Sequence, residues 1–411
     1  MRALLSSVGT RGDVQPILAL GSRVRDLGHE VRLCTPPNFV EWARGHGFEA
    51  VPVGVEMRYP ATRSGGGSAT SPTAEQIRRI RESMPDLISD QFEAVGAAAE
   101  GCDVILGANA HQYAARSIAE LRGIPYFNAI YAPVAIPSPD HAPPPGAGET
   151  WEPGDPPANM QRWADNRRAW NSRALERVNH NRTRRGLAPV DDVLSHNLTD
   201  HPWLAADVTL APIPTTPGMR VFATGAWILQ DSTPLARDLA DFLDAGEPPI
   251  YFGFGSMPAP QGTSRTLIDA ARAVGRRAIV AEGWAALGVI DDAPDCIAIG
   301  DVDQKALFPR VEAVVHHGGA GTTAAAARAG VPQVVVPMFG DQFYWASRVR
   351  ALGIGTSVGA LTAETLASAL RQALEPSVAP RSRSVAQQLT SDGAMVAARR
   401  LVALRATEGR V

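Results

Sequence analysis

The sequence predicts an α/β protein built of two doubly wound, Rossmann-like domains facing a central cleft. Segments with a strand pattern alternate with segments of helical spacing through both halves of the chain. A Pro-rich break at Ala211–Met219 (APIPTTPGM) separates two such series. Each series also contains a strand that runs through glycines straight into a helix, the arrangement by which open parallel sheets bind ligands at their carboxyl edge.

In chain order, Arg2–Val8 reads as a buried strand, and Val14, Ile17, Leu18, Val24 and Leu27 follow with helical spacing. His29–Pro36 is strand-like, and NFVEWARGHG is a short helix ended by glycine. Further strands are predicted at Phe48–Val53, Asp103–Leu106 and Pro125–Ile130. Residues 55–73 contain SGGGSATSP and have the composition of a flexible surface loop. Residues 131–160 are Pro-rich and are expected to stay outside regular helix and sheet interiors. Both stretches follow strands of the first sheet and are expected to wall a variable pocket, the alternative being plain surface loops. After the break, Ile250–Phe254, Arg277–Ala281, Cys296–Ile299, Val311–Val315 and Gln333–Val336 read as strands, most of them followed by helices. The expected division is a domain over 1–213, a linker over 214–226, a second domain over 227–390, and a C-terminal helix within 391–411 that crosses back to the first domain.

Composition narrows the function. A chain of 411 residues suits two to three domains of ~150 residues each. With 45% hydrophobic and 20% charged residues it is globular rather than disordered. The formal net charge of -3, without a basic block, argues against a nucleic-acid partner. Cys34, Cys102 and Cys296 are too scattered for a disulfide framework or a zinc site. The start, MRALLSSVGT, lacks a signal-peptide pattern, and no apolar run reaches the ~18 residues of a membrane span. A cytoplasmic monomer without a transmembrane segment is expected. Lys305 is the only lysine, which suggests GC-rich codon usage and an actinomycete source.

The strongest local signal is AVVHHGGAGTTAAAARAG. A β-branched strand enters His316, His317, Gly318, Gly319, Ala320, Gly321, Thr322 and Thr323, and an alanine-rich helix follows. Glycines admit a close ligand, and the helix start offers unpaired N–H groups and a positive dipole end. A diphosphate suits such a cradle, whereas a plain capped turn would need only one of the threonines. Adjacent histidines on a strand point to opposite faces, so one is expected to pack and the other to face the cradle. The Gly-Lys of a P-loop is absent, which excludes a Walker-type ATPase.

The first strand enters LLSSVGTRGDVQP, where Gly9 and Gly12 do not make the dinucleotide fingerprint. Asp13 at the helix start would repel a pyrophosphate. Its structural role is a cap or first-turn acid; its chemical role is a general base that takes a proton from an attacking hydroxyl. Arg11 is placed to lie against a phosphate.

The blocks GTRGDVQP, SIAELRGIPYF, DHPWLAAD, TGAWIL, FGFGSM, HHGGAGTT and FGDQFYWASRV, in that order, span nearly the whole chain. They resemble family 1 glycosyltransferases of the GT-B fold, above all the bacterial antibiotic, glycopeptide-type enzymes, and also sterol glucosyltransferases. The resemblance implies inverting transfer of a sugar from a UDP- or dTDP-sugar to a hydroxyl of a hydrophobic natural-product acceptor in secondary metabolism. It places Asp13 at the general base. It places Arg11, Ser256, His317, Gly319, Gly321, Thr322 and Thr323 at the donor diphosphate, and Thr10, Asp341 and Gln342 at the donor sugar. Val302 and Gln304 fall in the nucleobase segment, with Trp284 either stacking nearby or belonging to the core. Asp301-Val302-Asp303 has the form of the DxD metal motif of another glycosyltransferase fold, but among these markers it belongs to the nucleobase segment, and neither metal nor cofactor is expected. Ala324–Ala327 stands where some relatives carry a ribose-binding Glu, so UDP and dTDP are not separated. MFGDQ is nearer the sterol enzymes and DHPWLAAD nearer the glycopeptide enzymes, so a sterol 3-β-glucosyltransferase is the alternative. A sugar-nucleotide 2-epimerase and a non-catalytic helper rank below it.

Overall fold

The computed structural model describes residues 1–57, 87–109, 111–146, 149, 151–230, 233–390 and 392–408. Most of the Gly/Ser-rich loop expected at 55–73 lies outside these residues.

The first domain's strands are β1 (Arg2–Ser7), β2 (Glu30–Thr35), β3 (Glu49–Pro52), β4 (Val104–Ala108), β5 (Tyr126–Ile130), β6 (Trp203–Leu204) and β7 (Phe222–Ala223). They form one parallel sheet in the order β3-β2-β1-β4-β5-β6-β7. The second domain's strands are β8 (Ile250–Gly253), β9 (Ala278–Ala281), β10 (Cys296–Ile299), β11 (Ala313–His316), β12 (Gln333–Val335) and β13 (Gly355–Ser357). They form a second parallel sheet in the order β10-β9-β8-β11-β12-β13. The central strands β1, β4, β8, β9 and β11 are buried almost along their whole length, as near-continuous apolar runs covered by helices on both faces require. The fold is thus a pair of Rossmann-like domains.

The order of each sheet reverses once, between β1 and β4 in the first and between β8 and β11 in the second. Ligands bind outside the carboxyl ends of the strands at such a switch point. Asp13 follows β1 and Ser256 follows β8, while His317 follows β11, so residues singled out from sequence sit at both crevices.

Sequence pattern did not indicate β6, β7 and β13. Strands of two or three residues are too short to show a period. β7 lies inside 214–226 and pairs with β6, so the first sheet continues through Ala223. The exclusion of regular helix from 131–160 is corrected at its end, because a long helix, Pro156–Thr183, begins there. The Asp155 side chain caps it by accepting from Ala158 N–H at 2.9 Å. Pro156 and Pro157 occupy its first turn, where a missing N–H costs nothing. Upstream, Ile136, Ser138, His141 and Ala142 are buried, and Trp163 Nε1 donates to the His141 carbonyl at 2.9 Å.

The final helix, Gly393–Glu408, returns to the first domain. Its Ala394, Ala397, Ala398 and Leu401 are buried in one core with Val14, Ile17 and Leu18 of the helix Arg11–Asp26. Arg23 reaches Asp392 at 2.8 Å at the helix entry. No helix among the described residues is long and apolar enough to cross a membrane.

Candidate active site

Asp13 is the third residue of the helix Arg11–Asp26, at the mouth of β1. Its Oδ2 accepts from the Thr10 N–H at 2.7 Å and from the Thr10 hydroxyl at 3.2 Å. The acid therefore completes the helix start, as its structural role requires. Gly9, with φ +149, makes this possible: a Cβ there would lie 2.2 Å from Asp13 Oδ2. Ser7 Oγ and Tyr131 OH each donate to the Asp13 carbonyl at 2.9 Å. Asn109 Nδ2 donates to Asp13 Oδ1.

Burial pushes the Asp13 carboxyl up to about 6, against the opposing hydrogen bonds from Thr10 and Asn109. The Asp341 carboxyl of the second domain pushes it the same way. Asp341 therefore lies within electrostatic reach across the cleft. Burial raises its own pKa too, against a 2.9 Å hydrogen bond from Trp345 Nε1 to Oδ2.

The facing wall is the start of the helix Ala320–Ala329. Its first N–H groups have no partner within the helix, and Gly321, exposed with open space where a Cβ would stand, leaves them approachable. The two histidines before it part as the strand alternation predicts. His316 is fully buried; its Nδ1 accepts from Gly318 N–H at 3.1 Å and its Nε2 pairs with Gln333 Oε1 at 2.9 Å. His317 lies against Gly255 and Gly319; its Nδ1 is buried, and a hydrogen bond to the Gly253 backbone opposes the effect of burial on the ring. Burial lowers its pKa to about 4, so the ring is neutral at physiological pH. Thr323 is buried, and its hydroxyl donates back to the Gly319 carbonyl at 2.9 Å, whereas Thr322 is half-buried at the tip. Ser256 is half-buried in the turn after β8, on the same switch point.

The walls meet. Ala320 packs against the first domain's core beside the helix Arg11–Asp26. Trp284 stacks on Phe39 of the first domain with ring centroids 6.5 Å apart. Arg11 sits over the Trp42 ring at 5.0 Å and reaches Asp301 at 2.6 Å. Arg11 therefore spans the cleft to the segment around Val302 rather than lying on the helix tip.

Other expected site residues are divided. Gln342 is buried with its carboxamide turned inward: Oε1 accepts from Met338 N–H at 2.7 Å and Phe339 N–H at 3.3 Å, and Nε2 meets Met257 Sδ at 3.5 Å. It shapes the loop that presents Asp341. Gln304 hydrogen-bonds Tyr251, and Val302 packs on the apolar cluster that contains Phe308. Asp303 Oδ1 caps the short helix Gln304–Leu307 by accepting from Lys305 N–H at 2.9 Å. Both carboxylates of the DxD tripeptide thus have protein partners. Residues near 145 also reach the second domain: the Gly340 N–H donates to the Pro145 carbonyl at 3.1 Å, next to Asp341.

Sequence reasoning missed Asn109, Ser7, Tyr131 and the pairing of Phe39 with Trp284. Asn109 had one available signal, its place just past a predicted strand at the first sheet's carboxyl edge.

The comparisons agree with this architecture. Residues 3–136 match the glycosyltransferase family 28 N-terminal domain, and residues 265–403 match the erythromycin biosynthesis protein CIII-like C-terminal domain. The chain is 46% identical to the vancomycin aglycone glucosyltransferase of Amycolatopsis orientalis, over 98% of this chain and 97% of that one. It is 39% identical to the dTDP-epi-vancosaminyltransferase of the same organism, over 94% and 93%. Among solved structures, the glycosyltransferase VinC in complex with dTDP superposes with a TM-score of 0.68 at 21% identity, over 99% of this chain and 100% of that one. The two domains, their matched families and these full-length relatives place the chain among the family 1 glycosyltransferases of the GT-B fold, with the vancomycin-type enzymes.

Proposed function

We propose that this glycosyltransferase moves a sugar, with inversion, from a UDP- or dTDP-sugar to a hydroxyl of a glycopeptide-like natural-product aglycone. The observation that carries the mechanism is the half-buried Asp13 carboxylate, placed between its own helix start and the facing domain's Asp341. The relatives' names support the acceptor class and a dTDP-sugar as one donor type.

In the proposed reaction the acceptor oxygen attacks the anomeric carbon as its proton passes to Asp13. The bond from that carbon to the diphosphate oxygen breaks, and the electron pair leaves with the nucleoside diphosphate. With the base on one wall and the leaving group held on the other, the attack would come from the face opposite the leaving group and invert the anomeric centre. Charge growing on the diphosphate meets fixed N–H donors and the dipole of the helix Ala320–Ala329. The His317 ring lies beside them, with Nε2 on the side of Gly319. Such fixed donors do the work of a divalent cation, so none is required. Asp341 serves the sugar hydroxyls, and Gln342 acts by holding Asp341's loop. Asp13 is ionised above about pH 6, so turnover rises through that pH and levels above it.

The test is a mass-spectrometric panel crossing UDP-glucose and dTDP-deoxysugars with glycopeptide, polyketide and steroid aglycones, with and without EDTA. The expected result is product on a glycopeptide aglycone, undiminished by EDTA. Product confined to steroids would favour a sterol glucosyltransferase. Activity lost in EDTA and restored by Mn²⁺ would contradict the metal-free mechanism.

A further inference from the structure

The first sheet reverses its strand order between β1 and β4, and Asp13 faces Asn109 there across the crevice. Asn109 follows β4 immediately and adopts φ 66, a left-handed conformation that few side chains tolerate and asparagine tolerates best. Its backbone is tied on both sides. The Asn109 N–H donates to the Ala129 carbonyl at 2.7 Å, and Asn128 Nδ2 donates to the Asn109 carbonyl at 3.3 Å. The strained turn aims the carboxamide at Asp13, 96 residues away in sequence. The two oxygens of that carboxylate then have different keepers, Thr10 on Oδ2 and Asn109 on Oδ1. Oδ2 already accepts twice from Thr10, so Oδ1 is the oxygen that keeps a lone pair for a further donor.

We propose that Asn109 is a positioning residue for the base: its carboxamide N–H fixes the plane of the Asp13 carboxylate and holds it in the proton-accepting form. This deepens the role given to Asp13 above and rests on it. An amide is suited to the task because its N–H₂ donates to the ionised carboxylate and cannot itself titrate. The other groups around Asp13 do not replace it. Thr10 serves the other oxygen, the Tyr131 hydroxyl is committed to the backbone carbonyl, Arg11 points to Asp301, and Asp341 opposes ionisation.

Asn109→Gly separates this role from a structural one. Glycine adopts the left-handed turn without strain and removes only the carboxamide. The Asp13 carboxyl can be titrated by ¹³C NMR in aspartate-labelled protein, its signal assigned by its loss in Asp13→Asn. Removing a hydrogen bond to a charged carboxylate should move the midpoint up by about one pH unit. The acid limb of kcat/KM should move with it, while UDP and dTDP bind unchanged. Asn109→Asp, which sets a second carboxylate beside the first, should move the midpoint further. An equal midpoint in wild type and Asn109→Gly overturns the proposal. If that occurs while Asp13→Asn is inactive, Asp13 remains the base and only Asn109's part fails. If the midpoint moves but Asp13→Asn turns over normally, the general base is lost and the catalytic meaning of Asn109 with it.

Discussion

Asp13 carries two demands that pull against each other. It completes the first turn of its helix by accepting from Thr10, which favours the charged form, yet burial and the facing Asp341 resist that charge. Burial prevails, and the folded carboxyl titrates near 6, above the ~3.9 of an unfolded aspartate. A group whose folded pKa is raised contributes stability below its unfolded pKa and loses it as pH rises through the folded one. The cost of ionising the buried carboxyl therefore grows from about pH 4 to about pH 6 and is at its full size above that. Asp13→Asn should relieve it, since the new amide can still accept from Thr10. The variant should melt several degrees above wild type at pH 8 and near wild type at pH 4, by differential scanning calorimetry. A lower melting temperature at pH 8 would mean that the Thr10 and Asn109 bonds outweigh the desolvation. Sequence made Asp13 visible as a helix acid, which the structure shows, and as the base proposed above. Asn109 stayed hidden because its partner is distant in sequence and one asparagine after a strand has no period or spacing to mark it.

At the scale of elements, the helix Ala320–Ala329 shows why its approach needs several glycines, each for its own reason. Gly318, at φ +91, brings the backbone so close to β12 that a Cβ would lie 2.7 Å from Val335 Cγ1. Gly319 leaves room for the His317 ring, whose Nε2 would lie 2.5 Å from an added Cβ. Gly321 keeps the tip bare. Gly319→Ala should therefore displace His317 without straining the backbone, and calorimetric titration with UDP and dTDP should show binding weakened about tenfold or more, the scale of one lost charge-assisted hydrogen bond. Unchanged affinity would take His317 out of the anion site. Long buried strands and this cradle were legible because β-branched runs and glycine spacing are local signals. The short strands β6, β7 and β13 were not, since pairing with a neighbour defines them rather than their own residues. Gln342 and Arg11 were legible by type but not by direction. The carboxamide turned to the loop Met338–Phe339, and the guanidinium crossed to Asp301.

At the scale of the molecule, each domain brings one switch point to the shared cleft: Asp13 with Asn109 from the first, His317 and the tip of Ala320–Ala329 from the second. The C-terminal helix, anchored among Val14, Ile17 and Leu18, ties the far end of the chain to the helix that carries Asp13. The Phe39–Trp284 stack and the Arg11–Asp301 pair close one side of the cleft. Under the proposed mechanism this arrangement divides the labour, with donor binding in the second domain and proton removal in the first. The most direct measurement compares Asp13→Asn with wild type at pH 8, taking kcat on the best donor–acceptor pair alongside the dissociation constant for the donor's nucleoside diphosphate. Turnover should fall by about two orders of magnitude or more, as for a lost general base, with the dissociation constant unchanged. Near-normal turnover, or nucleotide binding lost together with it, would contradict a carboxylate on one wall working against an anion site on the other.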